Sequence, residues 1–99
     1  MSVDININDS QLASFKSRMH ITHKAEDEYL RSLLASSASY VMRIGNVDDI
    51  ESPEAFEMVC ERARYAYNDK LQDFDTDYLS PMLNLSIANM EVPTDGESN

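Results

Sequence analysis

The chain has 99 residues, enough for one domain but only for a modest core. Its single cysteine, Cys60, excludes an internal disulfide, so oligomerisation is the expected source of added stability. A net charge of −10 speaks against ordinary nucleic-acid binding, in which Lys and Arg replace the counterions on phosphate.

The hydrophobic share of 42% suits a globular chain. With two glycines and three prolines, few turns are encoded, which favours long helices over many short strands. No apolar run nears the roughly 20 residues that span a bilayer. Met1-Ser2-Val3-Asp4 has neither a basic nor an apolar signal region, so no secretory signal is expected and folding is expected in a reducing cytoplasm. Charge is unevenly spread. Residues 1–43 hold five acids and five bases, whereas residues 44–99 hold thirteen acids against Arg62, Arg64 and Lys70. That acidic part suits a surface that avoids DNA or meets a basic partner, and equally a solvated face.

From the N-terminus, Val3, Ile5 and Ile7 alternate with polar residues, the pattern of a short extended segment with one apolar face. It needs a neighbour, whether another subunit or the chain's own helices. Asp9 or Ser10 is the expected cap of a first short helix carrying Leu12 and Phe15, and Met19-His20-Ile21 reads as an extended link. A second helix is expected from Thr22 or His23, with Glu26, Asp27 and Glu28 at its positive end. Its stripe runs through Leu30, Leu33, Leu34, Ser37, Val41 and Ile44, and Gly45 is expected to end it in a left-handed conformation.

Asp48, Asp49 and Glu51 form an acidic loop before Ser52-Pro53, a capping hydroxyl followed by proline at the first helical position. The third helix is expected from Pro53 to about Leu71. Phe56, Val59, Cys60, Ala63 and Tyr67 face its core, Phe74 closes its far end, and Glu54, Glu57 and Glu61 lie near the opposite face. Residues 73–77 read as a polar connection. A last helix, about Tyr78 to Glu91, has two apolar faces: Leu79, Leu83, Ile87 and Met90 on one, Tyr78, Met82 and Leu85 on the other. A helix apolar on two sides needs partners on two sides. The tail, residues 92–99, is expected to be disordered.

Motifs that would carry chemistry are weak. His20 and His23 are at most half of a zinc site. Asp73, Asp75 and Asp77 would begin a calcium loop, but its sixth and twelfth positions, which need glycine and glutamate, are Tyr78 and Asn84. Cys60 lies on an apolar helix side and reads as a core thiol, not a nucleophile. No phosphate-binding loop or nucleophile elbow occurs, so neither enzyme activity nor a cofactor is expected.

Several stretches together resemble the head-tail connector (adaptor) proteins of long-tailed bacteriophages. Leu12 to Ile21 is similar to the family's leader helix and link, and Glu26-Asp27-Glu28-Tyr29-Leu30 to its acidic helix start. Ala38-Ser39-Tyr40-Val41, Tyr67-Asn68-Asp69-Lys70 and Leu79-Ser80-Pro81-Met82-Leu83 resemble its later segments. The likeness covers roughly residues 10–90. Met19-His20, Thr22 and Ser86-Ile87 depart from the family's usual residues.

The resemblance implies a subunit of a dodecameric ring beneath the portal protein in the virion neck, assembled in the host cytoplasm. Such a ring extends the DNA channel, lets DNA pass without specific binding, and offers a platform to a downstream tail or stopper protein. The expected fold is all-α: an extended segment (1–8), a four-helix connector domain with a short leader helix (9–91) and a flexible tail (92–99). Val3, Ile5, Ile7, Met82, Leu83, Leu85, Ile87 and Met90 are the expected oligomer or portal contacts. Asp48, Asp49, Glu51, Glu54, Glu57 and Glu61 are the candidate DNA-repelling face. The competing expectation is a small acidic DNA mimic that inhibits a DNA-binding protein.

Overall fold

A computed structural model describes residues 6–88, which form five helices and, among the described residues, no strand. They are α1 (Asp9–Met19), α2 (Asp27–Ile44), α3 (Pro53–Tyr67), α4 (Leu71–Asp77) and α5 (Leu79–Ala88). The all-α class is as expected; the helix number is five where four were expected.

α2 and α3 form an antiparallel hairpin. The start of α2 meets the end of α3, where Tyr67 Oη donates to Glu26 Oε1 at 2.8 Å and the Tyr29 and Tyr67 rings lie 6.3 Å apart. Leu30, Leu34, Ala38 and Val41 of α2 are buried with Ala55, Val59, Cys60 and Ala63 of α3. These positions recur at steps of three and four, the signature of one helix face. Small residues, Ala38 and Ala63 among them, are buried on this seam. Buried Ser37 accepts from Arg62 Nη1 at 3.3 Å, so its hydroxyl has a partner away from water.

α1 adds Leu12 and Phe15 to this core, and Ile7 just before it is also buried. Lys16 Nζ pairs with Asp27 at 2.6 Å, and Arg31 of α2 binds both the Ile7 carbonyl and Asp9. The cap of α1 is Asn8, not Asp9 or Ser10. Asn8 and Gln11 bond reciprocally at 2.7 and 3.0 Å in a capping box. Ser52 caps α3 by accepting from Ala55 N–H at 3.2 Å, with Pro53 next, as expected.

Three helices end on left-handed residues that are not glycine: His20 (φ 59°), Asn46 (φ 59°) and Asp69 (φ 60°). After each, an N–H reaches back five residues to a carbonyl: Ile21 to Lys16, Val47 to Met42, and Lys70 to Tyr65. This is the Schellman closure. It corrects three expectations. Met19-His20-Ile21 is a helix stop, not an extended link. Gly45 is right-handed (φ −85°), and Asn46 makes the turn. α3 stops at Tyr67 rather than near Leu71. α2 in turn begins at Asp27, later than Thr22 or His23.

The stretch 73–77, expected as a connection, lies inside α4. Its four polar residues point to helix-poor sequence, but Phe74 is 1% exposed and anchors the turn. The Phe74 ring stacks on Tyr78 at 4.8 Å and meets Tyr65 and Tyr40 edge-on at 5.7 and 6.2 Å. Burial of one aromatic in a cluster of this kind outweighs weak local propensity. α5 then returns over the hairpin, burying Met82 and Leu85. Gly45 packs against α5: a Cβ there would stand 2.7 Å from Leu85 Cδ2 and 2.7 Å from the Val41 carbonyl.

Candidate interaction surface

α5 presents its two apolar faces in opposite ways. Met82 and Leu85 face the core with half-buried Tyr78, while Leu79, Leu83 and Ile87 are 59%, 53% and 63% exposed. These three are spaced four apart, so they form one ridge along the helix. The ten residues of α5 contain no charged side chain, in a chain that is 26% charged overall. Beside the ridge lies a shallow hollow of about 130 Å³, lined by Tyr40, Ile44, Phe74, Leu79 and Leu83 among others. Ile44, expected in the α2 core stripe, is 40% exposed and belongs to this surface instead.

The expected contact residues therefore divide. Leu83 and Ile87 lie on the exposed ridge. Ile7, Met82 and Leu85 are buried in the subunit's own core, and only the edges of Met82 and Leu85 reach the hollows beside α5, a correction that follows from the docking of α5 and the N-terminal turn. Val3, Ile5 and Met90 fall outside the described residues. Leu79 and Ile44 join the surface. The four-residue spacing already marked Leu79, whereas nothing in the spacing of α2 separates Ile44 from its buried neighbours.

The acidic residues divide as well. Asp48, Asp49, Glu51 and Glu54 are exposed, and among the described residues no cation pairs with them. Asp49 accepts from the Glu51 N–H at 2.9 Å, which shapes the loop. Glu57 and Glu61 are engaged. Arg18 of α1 pairs with Glu57 at 2.8 Å and lies 3.9 Å from Glu61, and Arg64 holds Glu61 at 2.5 Å. Tyr78 Oη also donates to Glu61, at 2.9 Å. These two carboxylates tie α1, α3 and the α4–α5 junction together, so their charge is largely balanced within the fold.

A second polar group surrounds Tyr40. The guanidinium groups of Arg62 and Arg43 lie over its ring, at 4.2 and 5.7 Å, and its hydroxyl donates to Asp75 at 2.7 Å. That bond, with burial, holds the Tyr40 proton more tightly than usual, while burial lowers the Arg62 pKa. Tyr65 Oη likewise donates to Asp77 at 2.8 Å, and its pKa is pushed up to about 12. Both bonds fasten α4 to the hairpin. Each of these groups has a structural partner.

Cys60 is 1% exposed, and burial pushes its thiol up to about 11. A thiol held protonated at neutral pH is a poor nucleophile, in keeping with a core role. Among the described residues, no three His, Cys, Asp or Glu side chains gather where they could hold a metal ion. No described helix is long and apolar enough to cross a membrane. Comparison with models of known protein families, with curated proteins and with solved structures finds no match.

Proposed function

We propose that this chain is a structural subunit that assembles with copies of itself through the uncharged ridge of α5, and that the assembly is a connector ring joining a phage head to its tail. The observation that carries the reading is the ridge itself: three large aliphatic side chains, more than half exposed, on a helix without charge. The connector resemblance noted in the sequence supplies the ring, the portal above it and the tail or stopper protein below it.

Energetics favour many weak contacts over one. Covering the remaining exposed area of three such side chains is worth roughly 1–1.5 kcal/mol each, about half of full burial. That sum of about 3–4.5 kcal/mol only reaches the low end of the roughly 4–15 kcal/mol lost when two proteins become one body. A closed ring gives every subunit two contacts and lets a heterologous patch join the ridge. Subunits of net charge −10 also repel one another, so added salt strengthens such an assembly by screening. A DNA mimic, by contrast, needs a long run of unpaired carboxylates, and Glu57 and Glu61 are already engaged by arginines.

Light scattering of the purified chain at low and moderate salt, with negative-stain microscopy of the same samples, tests the proposal. Closed rings that gain population with salt are expected. Monomers at every concentration and salt tried, or a salt-sensitive complex with a basic DNA-binding protein as the chain's only association, would end it.

A further inference from the structure

A second surface lies on the other flank of α5. An open cleft of about 560 Å³ runs between the start of α3 and the end of α5. Its floor is apolar, from Met58, Pro81, Leu85 and Ala88, and Glu54 and Glu57 stand on its α3 side. The acidic loop of Asp48, Asp49 and Glu51 leads directly into that side. Between Ile44 and Glu61 the chain has six acids and no Lys or Arg. Arg18 pairs with Glu57 and approaches Glu61, which leaves Asp48, Asp49, Glu51 and Glu54 without a cation among the described residues.

We infer that this cleft receives a basic, leucine-rich segment of a partner protein, its aliphatic side chains against Met58, Pro81 and Ala88 and its Lys or Arg side chains toward Glu54 and the 48–51 loop. An apolar floor beside one-signed charge is the complement of an amphipathic basic helix. The chain's own ends do not match: residues 1–5 and 89–99 contain no Lys or Arg, while residues 89–99 add Glu91, Asp95 and Glu97. A second copy of so acidic a chain is a poor match for the same reason. The inference does not rest on ring assembly, because the cleft and the exposed ridge occupy different sides of α5.

The probe is a fluorescein-labelled peptide of about 14 residues with Leu and Lys at helical spacing, titrated with the full chain by anisotropy. Two analogues accompany it, one with every Lys replaced by Glu and one with every Leu replaced by Ser. A benzophenone version, photo-crosslinked and mapped by mass spectrometry, reports the location whether or not the chain is assembled. The Leu/Lys peptide should bind at least about tenfold more tightly than either analogue and weaken as salt rises from about 50 to about 300 mM. Crosslinks should fall on residues 52–58 and 81–88. Glu51→Lys with Glu54→Lys, both exposed positions, should weaken binding about tenfold while leaving the circular dichroism spectrum unchanged. Equal binding of the Ser analogue, crosslinks concentrated elsewhere (on residues 73–77, for instance) or indifference to the double charge reversal would overturn the inference.

Discussion

Phe74 decides whether α4 and α5 stay docked, and its replacement gives the sharpest test of the fold. Phe74→Ala removes a side chain that is 1% exposed and touches three tyrosine rings at 4.8, 5.7 and 6.2 Å. Truncations of this kind cost about 3–5 kcal/mol through lost transfer energy and the cavity left behind. A domain of this size has about 5–15 kcal/mol in all, so a large part of its stability rests on one ring. Phe74→Leu keeps most of the volume and gives up the ring contacts, at a cost of about 1–2 kcal/mol. Urea unfolding followed by circular dichroism reads both. With a slope near 1.5 kcal/mol per molar, Phe74→Ala should lower the midpoint by about 2–3 M and Phe74→Leu by about 1 M. A loss below about 1 kcal/mol for Phe74→Ala would refute the claim that this ring, and not helix propensity, holds α4 in place.

Three further outcomes are expected. The unfolded chain releases the Cys60 proton near its ordinary value of 9.0 while the folded chain holds it to about 11. The Cys60 contribution to stability is therefore fully present below about pH 9 and falls by on the order of 2–3 kcal/mol as pH rises to about 11; urea midpoints across that range check this, and Cys60→Ala should reduce the alkaline fall, leaving the part due to tyrosines such as Tyr65 whose protons are also held more tightly than usual. His20→Gly removes the strain of a left-handed histidine, worth about 1–2 kcal/mol, against a backbone-entropy loss of about 0.5–1 kcal/mol, so thermal unfolding should show a gain of about 0.5 kcal/mol. Gly45→Ala should disturb the end of α2 together with α5, because its Cβ would stand 2.7 Å from the Val41 carbonyl oxygen, a backbone atom, as well as from Leu85 Cδ2. Hydrogen exchange should rise at the end of α2 and in α5, with α3 less affected.

Periodicity made most of the fold legible. The three- and four-residue steps in α2 and α3 and the Ser52-Pro53 start mark out the two helices of the central hairpin, but not where α2 begins or α3 ends. α5 was legible in more detail still: its two faces, read from spacing alone, separate into a buried pair, Met82 and Leu85, and an exposed ridge. What spacing does not reveal is which face turns inward, since both are apolar and Met82 and Leu85 fit a contact surface as well as a core. α4 is hidden because its anchor, Phe74, is held by a cluster of rings, the nearby Tyr78 together with Tyr65 and Tyr40 from the hairpin, that local propensity does not reveal. The helix stops at His20 and Asp69 were hidden because a left-handed residue other than glycine is fixed by the bonds around it, not by its own preference. The acidic face was only half legible, because the arginines that engage Glu57 and Glu61 include Arg18, about forty residues away in the chain.

Leu83→Asp combined with Ile87→Asp tests the central claim most directly, since it places two charges on the exposed ridge and leaves the core untouched. Particle mass by mass photometry is the readout, with circular dichroism confirming the helices. The parent chain is expected as multi-subunit particles and the variant as a folded monomer of about 11 kDa, judged by light scattering at that size. Particles of equal mass for both chains would contradict the assignment of the α5 ridge as the assembly surface.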